Sequence, residues 1–168
     1  MLDQEKRVAF EAVYNRYKAG VHRFCCRMLN DPDAAKDVVQ EVFLRFFEST
    51  ARFDGEVSVK VWLFKSARNR CLNLIRDNSK KSNIGQNGDE FAETKPGDPD
   101  LHEAPGIVRS LFERMQPDYK EIMILREWEE LSYDEIARTL DTTVPAVKSK
   151  LFKARKQAAS IYRKLYGD

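Results

Sequence analysis

The stretch Leu131–Ser160 reads LSYDEIARTLDTTVPAVKSKLFKARKQAAS and predicts two helices joined by a tight turn. Ser132 with Glu135 three residues later matches a capping box, in which the serine side chain accepts from a backbone N–H and the glutamate reaches back. Thr143 is the expected N-cap of the second helix, because the proline two residues later costs nothing in a first turn. The two residues before Thr143 then form the turn, and the whole stretch has the outline of a helix-turn-helix motif.

The second helix of this motif has one apolar and one basic side when it is drawn at about 100° per residue. The apolar side is expected to pack on the preceding helix and consists of Val147, Leu151, Ala154, Ala158, Ile161 and Leu165. The other side carries Lys148, Ser149, Phe152, Lys153 and Lys156, with Arg155 at its edge. Between residues 142 and 167 the chain has 7 Lys or Arg and no acidic residue.

A basic helix of this kind has two interpretations. Binding to DNA would release the condensed counterions of each phosphate that a cation neutralises. Phe152 would then touch a thymine methyl in the major groove, with Lys148 and Lys153 reaching base edges or phosphates. Alternatively, the cations form a solvated face and Phe152 packs on a loop. The capped helix and the tight turn that precede it favour DNA.

Hydrophobic side chains at helical spacing divide the chain into two parts around a polar segment. Residues 78–105 are rich in Gly, Asn, Asp, Ser and Pro, and bury too little surface to offset their ordering entropy, so they are predicted to be a flexible linker. The linker has 3 basic and 6 acidic residues, against 14 and 11 in residues 1–77 and 12 and 10 in residues 106–168. The predicted fold class is all-α, with two small helical domains joined by this acidic linker.

The apolar spacing also predicts the individual helices. The first domain has three or four, of which one ends at the turn signal Asn30-Asp-Pro and two run over about 33–49 and 58–76. The second domain has four, over about 106–115, 117–127, 132–140 and 143–165. No segment alternates apolar and polar residues for long enough to predict a strand.

The predicted helix 33–49 has an acidic stripe opposite a broad apolar face. The apolar face consists of Val38, Val39, Val42, Phe43, Phe46 and Phe47. The stripe consists of Asp37, Glu41, Arg45 and Glu48, flanked by Gln40 and Leu44. Such a stripe can dock a basic helical partner, but the residues alone favour an ordinary exposed face with ion pairs worth about 0.3–0.5 kcal/mol each.

The predicted helix 58–76 mixes aromatic and basic side chains. It contains 5 Lys or Arg, and no acidic residue lies between Glu56 and Asp77. This mixture suits single-stranded nucleic acid, because unstacked bases need an aromatic platform and their phosphates need cations. Trp62 taken alone is more often a core residue, in which case only the cations are exposed.

Composition and motifs exclude several classes of protein. The net charge of +2 argues neither for nor against a nucleic-acid partner. Without an apolar run of about 18 residues or an apolar N-terminal segment, we expect a soluble, cytoplasmic protein. Cys25, Cys26 and Cys71 form neither a disulfide framework nor a CxxC metal pair, which suits a reducing compartment. No HExxH, GxSxG or Gly-rich phosphate loop occurs, and His22 and His102 are far apart, so we expect no catalytic site, metal or cofactor.

Two blocks of the sequence resemble the extracytoplasmic-function sigma factors of the sigma-70 family. The family's region 2 is matched by DVVQEVFL (37–44), FDG (53–55), WLFKSARN (62–69) and Arg76. Its region 4 is matched by LSYDEIA (131–137) and VKSKLFKAR (147–155). The blocks stand in the family's order and, apart from the linker, cover nearly the whole chain. The resemblance implies a bacterial RNA polymerase specificity subunit, with region 2 in residues 1–77 and region 4 in residues 106–168.

The resemblance implies a role for each of three surfaces. Contact with the clamp helices of the polymerase largest subunit would be made by Asp37, Gln40, Glu41 and Leu44. Recognition and melting of the promoter −10 element, with capture of a flipped base, would involve Arg45, Ser49, Phe53, Trp62, Lys65, Ser66, Asn69 and Arg76. Reading of the duplex −35 element would involve Lys148, Ser149, Lys150, Phe152, Lys153, Arg155 and Lys156. The acidic stripe is then a docking surface.

The implied partners are core RNA polymerase, promoter DNA and an anti-sigma factor, which commonly holds down activity in this family. The family usually has glycine at the turn where this chain has Asp141, and aspartate tolerates the left-handed backbone that such a turn needs. The alternative function is a stand-alone helix-turn-helix regulator with a helical sensing or dimerisation domain, which requires neither the acidic stripe nor the aromatic, basic helix. A helical enzyme would need convergent titratable groups in a pocket, and the sequence offers none.

Overall fold

The computed structural model describes residues 2–49, 55–84 and 106–167, and within these ranges the chain forms helices and no strand. The all-α prediction is confirmed. The helices are α1 (Leu2–Leu29), α2 (Pro32–Glu48), α3 (Glu56–Ile84), α4 (Gly106–Arg114), α5 (Pro117–Met123), α6 (Tyr133–Thr139) and α7 (Val144–Tyr166). A π-helical segment, Ile124–Trp128, continues α5. We call α1–α3 the N-terminal unit and α4–α7 the C-terminal unit.

The turn between α1 and α2 is set by three consecutive residues. Asn30 has φ 53°, in the left-handed region that asparagine tolerates better than most residues. Asp31 caps α2, since its side chain accepts from the backbone N–H groups of Asp33 and Ala34. Pro32 occupies the first turn of α2, where its missing N–H has no intrahelical partner to lose. The predicted turn signal is therefore confirmed.

The three helices of the N-terminal unit pack pairwise around an apolar core. Buried members of this core include Val21, Phe24, Val38, Phe43, Leu63 and Phe64. Cys25 and Cys71 are also buried there as free thiols. A hydrogen bond to Cys71 and burial raise the pKa of the Cys25 thiol, which keeps it protonated and unreactive.

Helix α3 is longer than the sequence predicts. It continues past Arg76 to Ile84, so residues 78–84, predicted as the start of the linker, are helical. Between residues 56 and 84 the sequence has no glycine or proline, and the basic Lys81 in the last turn complements the helix dipole. Once its first turns are packed, a helix extends at little cost without further apolar contacts, because the nucleus already exists. Residues 85–105 of the predicted linker lie outside the described residues.

The predicted helix-turn-helix is formed by α6 and α7. Both capping-box bonds are present: the Ser132 N–H donates to Glu135 Oε1 at 2.8 Å, and the Glu135 N–H donates to Ser132 Oγ at 3.1 Å. Asp141, in the turn, has the left-handed φ of 53°. Thr143 caps α7, because its Oγ1 accepts from the Ala146 N–H at 3.3 Å. The local signals of this motif are confirmed.

The two units pack against each other, with α1 and α3 on one side and α5, the π-helical segment and α6 on the other. Gly20 gives α1 the room for this approach, since a Cβ there would lie 3.0 Å from Glu129 Oε1. On the same side of α1, the Arg27 guanidinium lies 5.7 Å from the ring centroid of Trp128. The buried residues of the two units form one continuous cluster.

Candidate nucleic-acid and protein interfaces

The exposed face of α7 combines a large aromatic side chain with cations. Val147, Leu151 and Ala154 are buried in the C-terminal unit, which fixes the rotation of the helix. Phe152, on the opposite side, is 68% exposed. Exposed with it are Lys148, Ser149, Lys153 and Lys156. An aromatic ring that gains nothing from the core therefore stands among cations, where a base edge and its phosphates can reach it.

Two further cations of α7 form ion pairs within the C-terminal unit. Arg155 lies 2.7 Å from Glu127 Oε1, and the hydrogen bond to this carboxylate raises the pKa of the guanidinium. The Lys150 Nζ lies 3.6 Å from Asp118 Oδ2. Both residues are in the predicted −35 set, but their carboxylate partners make them less available to phosphate than the exposed cations beside Phe152.

Tyr133, at the start of α6, supports the basic face and was missed by the sequence analysis. The Arg126 guanidinium lies 4.5 Å from the centroid of its ring, and the Lys148 Nζ lies 5.9 Å from the same centroid. The ring therefore provides an apolar surface next to the first cation of the face. A tyrosine directly after a helix N-cap carries no signal of this role in the sequence.

The acidic stripe of α2 is exposed apart from one residue. Facing solvent on it are Asp37, Gln40 and Leu44, the last with 57% of its surface exposed. Glu41 is half-buried, 2.8 Å from Arg45 and 2.9 Å from Arg70 of α3. Arg70 was not predicted to belong to this surface. An exposed leucine beside carboxylates is the composition of a protein-docking surface rather than of a nucleic-acid site.

The residues assigned to the −10 element are distributed over α2 and α3. Trp62 is half-buried, with its ring centroid 5.6 Å from that of Phe46. It therefore lies between the two interpretations, a fully buried core residue and a fully exposed aromatic platform for bases. Asn69 is exposed and accepts a 3.2 Å hydrogen bond from Arg68. Of the others, Ser49, Lys65 and Ser66 are half-buried, Arg45 and Arg76 are exposed, and Phe53 lies outside the described residues.

Four carboxylates of the C-terminal unit pair with cations on α1 and α3, and none of these pairs was predicted from the sequence. They are Arg23–Glu129 (2.9 Å), Lys60–Glu135 (3.4 Å), Lys65–Asp141 (2.8 Å) and Arg68–Glu121 (2.8 Å). We call Arg23, Lys60, Lys65 and Arg68 the cation row, and Glu121, Glu129, Glu135 and Asp141 the acid row. The partners are 53 to 106 residues apart in the chain, so no local pattern reveals them.

The ion pairs between the units shift the pKa of two of their members, Arg68 and Glu135. The hydrogen bond from Arg68 to Glu121 raises the pKa of the guanidinium against the opposing effect of burial. Burial works to raise the pKa of Glu135, but the Ser132 backbone N–H and the Lys60 ammonium outweigh it and hold that pKa below its ordinary value. Both shifts favour the charged form, that of the Arg68 guanidinium and that of the Glu135 carboxylate.

Two features are absent from the part of the chain that the structure describes. Among residues 2–49, 55–84 and 106–167, no helix has the length and apolar character needed to cross a membrane. Within the same ranges, no three His, Cys, Asp or Glu side chains are grouped to hold a metal ion.

Comparison with known protein families gives a match for each unit. A family model described as Sigma-70 region 2 matches residues 13–81. A second, described as Sigma-70, region 4, matches residues 106–157. The two matches together span well over half of the chain.

Curated proteins and solved structures are similar over most of the chain. The ECF RNA polymerase sigma factor SigM of Bacillus subtilis is 26% identical over 163 residues, covering 96% of this chain and 99% of SigM. The ECF RNA polymerase sigma-E factor of Haemophilus influenzae is 28% identical over 167 residues, covering 92% of this chain and 87% of that protein. CnrH in complex with the cytosolic domain of CnrY shares the fold with a TM-score of 0.69 at 18% identity, over 92% of this chain and 88% of CnrH. RpoE of Bartonella quintana, solved with the anti-sigma factor NepR, shares it with a TM-score of 0.65 at 18% identity, over 96% of each chain.

Proposed function

The chain belongs to the extracytoplasmic-function group of the sigma-70 family and is an RNA polymerase sigma factor, and from this premise we propose a role for each of its surfaces. Residues 1–77 bind core polymerase and recognise and melt the −10 element. Residues 106–168 read the −35 element, and residues 78–105 link the two domains. In this proposal the chain supplies promoter specificity, and the polymerase carries out the reaction.

The observation that carries the −35 assignment is Phe152, 68% exposed on the cationic face of a capped helix-turn-helix. A phenylalanine ring in water lacks the favourable free energy that burial would give it. A ring exposed on this face is therefore best explained by a partner that covers it. The major groove offers a thymine methyl for the ring, base edges for Lys148 and phosphates for Lys153. We assign direct base contact to Phe152, Lys148 and Ser149, and phosphate contact to the exposed Lys153 and Lys156. Lys150 and Arg155, which are paired with carboxylates, contribute to the positive field of the −35 set.

We assign core-polymerase binding to the acidic stripe of α2. Leu44 provides an exposed apolar anchor, and Asp37 and Gln40 flank it with acceptors for a basic helix of the polymerase. Glu41 acts from a fixed position, because Arg70 of α3 holds its carboxylate at 2.9 Å. A stand-alone regulator would have no use for this stripe, so the alternative function is not favoured.

We assign the −10 element to the side of α3 that carries Trp62, Lys65, Ser66 and Asn69. The set predicted for this element also includes Arg45, Ser49, Phe53 and Arg76. Extruding a base costs a few kcal/mol of stacking, which an aromatic surface and hydrogen-bonding side chains can offset. The half-buried Trp62 provides a rigid edge for such a site, since its contact with Phe46 restricts its rotamers.

We also propose that an anti-sigma factor regulates this protein. The support is the likeness of fold to RpoE of Bartonella quintana, which was solved in complex with the anti-sigma factor NepR.

Permanganate footprinting on a supercoiled promoter with the protein and core polymerase tests the −10 assignment. Wild-type protein should make thymines of the −10 region reactive, because permanganate oxidises only unstacked thymines. Asn69→Ala should reduce this reactivity at least severalfold, whereas Asn15→Ala, at an exposed asparagine of α1, should not. Equal reactivity for the two variants contradicts the assignment of Asn69.

A further inference from the structure

Tyr133 is the first residue of α6, and an arginine from the π-helical segment holds its half-buried ring. Arg126 donates from NH1 to the backbone oxygen of Leu131 at 3.0 Å. Its guanidinium carbon lies 4.5 Å from the centroid of the Tyr133 ring. Leu131 is completely buried and Ser132 caps α6, so both sides of this contact are anchored in the core and in the motif. The ring therefore has a fixed place in the helix-turn-helix.

Two cations of α7 also meet this ring. The Lys148 Nζ lies 5.9 Å from the ring centroid, at the outer limit of about 6 Å for attraction between a cation and an aromatic face. The hydrogen bond from Arg155 to Glu127 is the main cause of the raised pKa of that guanidinium, and a hydrogen bond to the Tyr133 side chain adds to it. Tyr133 thus connects the first helix of the motif to two side chains of the −35 set.

A lysine that reads a base needs such a contact. An ammonium on a flexible stem is a point charge with rotatable donors, so by itself it pairs with phosphates and base edges alike. Attraction to the Tyr133 ring restricts the stem of Lys148 and reduces the conformational entropy that is lost on binding. Arg126 already occupies the ring at 4.5 Å, so the Lys148 ammonium stays at the outer limit and Lys148 remains exposed.

We propose that Tyr133 is a positioning residue that sets the base preference of Lys148, with guanine as the base that the ammonium reads. The inference rests on the proposed −35 function of α7 and adds to it a residue from the other helix of the motif. Guanine presents the acceptors N7 and O6 on its major-groove edge, and their pairing with arginine or lysine is the commonest specific contact. Tyr133 acts through the ammonium and makes no base contact of its own.

Transcription with core polymerase from a library with randomised −35 bases tests this role. Lys148→Ala should abolish a preference for guanine at one position, which identifies the base that Lys148 reads. Tyr133→Leu removes the aromatic face and should reduce that preference about two- to fivefold, with the ratios at the other positions unchanged. Tyr133→Phe keeps the ring and should preserve the preference. If Tyr133→Leu lowers transcription without changing the ratio at the identified position, the residue is only structural and the proposal is overturned.

Two further variants isolate the interaction between the ring and the ammonium. In a Lys148→Ala background, Tyr133→Leu should produce no further change at the identified position, because the group that the ring positions is gone. Tyr162→Leu removes an exposed aromatic face further along α7 and should leave all ratios unchanged. A further change in the Lys148→Ala background, or a loss of preference with Tyr133→Phe as large as with Tyr133→Leu, overturns the proposal.

Graded fluorination of the ring keeps the test decisive if Tyr133→Leu does not fold. Phenylalanine with increasing numbers of fluorine atoms at residue 133 keeps the shape of the ring, while the negative charge of its face weakens step by step. The guanine preference should fall with each added fluorine, and a preference independent of fluorination overturns the proposal. If Lys148→Ala changes no position, the base contact assigned to Lys148 under the proposed function fails, and this inference fails with it. If Lys148→Ala changes one position and the ring variants do not, this inference alone fails.

Discussion

Arg68 of α3 forms a two-point ion pair with Glu121 of α5, with its Nε 2.8 Å from Oε2 and its NH2 3.1 Å from Oε1. The Glu121 side chain is completely buried, and that of Arg68 is one quarter exposed. A buried carboxylate is tolerated when its partner and hydrogen bonds compensate for the loss of water. The fork of the arginine meets this requirement across the contact between the two units.

Removal of Arg68 should therefore cost more than removal of the whole pair. Arg68→Met leaves a buried, unpaired carboxylate and should lower the free energy of unfolding by about 3 kcal/mol. The double variant Arg68→Met/Glu121→Leu should lower it by less, because no charge remains buried. Urea denaturation followed by far-UV circular dichroism measures both.

Arg138→Met, which breaks an exposed pair within α6, is the control and should cost about 0.5 kcal/mol or less. A double variant as unstable as Arg68→Met contradicts this explanation.

Phe152→Ala should leave the fold intact and change promoter choice. The ring is 68% exposed, so its loss removes little burial. Loss of a base contact in the −35 element should cost about 1–3 kcal/mol of discrimination at that position. Transcription from a library with randomised −35 bases measures this as a change in base ratios. Tyr162→Ala, at an exposed aromatic further along α7, is the matched control and should leave the ratios unchanged. Unchanged ratios for Phe152→Ala would remove the residue from the −35 interface.

Leu44→Ala should weaken binding to core polymerase without destabilising the protein. An exposed anchor at the centre of a protein interface contributes more than about 1 kcal/mol, which corresponds to a loss of affinity of about fivefold or more. Biolayer interferometry with immobilised core polymerase gives the dissociation constants. Val8→Ala, at a residue of α1 that is 62% exposed, removes the same kind of surface elsewhere and should bind like wild type. Equal affinities for the two variants would refute docking through Leu44.

Stability should depend on the ionisation of Glu135. Because its pKa in the folded protein lies below the ordinary value of 4.5, its stabilising contribution is present above that value and is lost as the pH falls through the lower folded pKa. Glu135→Gln removes this pH-dependent part. Urea denaturation of both proteins at pH 7 and at pH values below 4.5 should show a stability difference that shrinks in acid. If the difference in unfolding free energy between wild type and Glu135→Gln is the same at all pH values, the charge of the Glu135 carboxylate does not stabilise the protein.

Short-range signals in the sequence predicted the helix-turn-helix well. The bonds between Ser132 and Glu135, the left-handed Asp141 and the cap at Thr143 each depend on residues no more than four positions apart. Exposure of Phe152 followed from the rotation of one amphipathic helix. The extension of α3 to Ile84 was missed because low hydrophobicity was interpreted as a loop, although a packed helix continues until a residue stops it.

The remaining differences arise from partners that are distant in sequence. A helical wheel places Lys150 and Arg155 relative to their own helix but does not show that Asp118 and Glu127 lie beside them. The same holds for the acid row, whose carboxylates looked like ordinary surface charge. Pairing across the two units depends on how the units pack, and no periodicity encodes that.

The central claim, that this chain is a sigma factor whose two units read two promoter elements, is tested most directly by run-off transcription. Purified core polymerase is assayed on a promoter library with and without the protein. The account predicts initiation only with the protein, from templates that share a −35 and a −10 sequence at a fixed separation. If no template gives initiation, while the protein alone binds duplex DNA tightly, the account is contradicted and the chain is a stand-alone regulator.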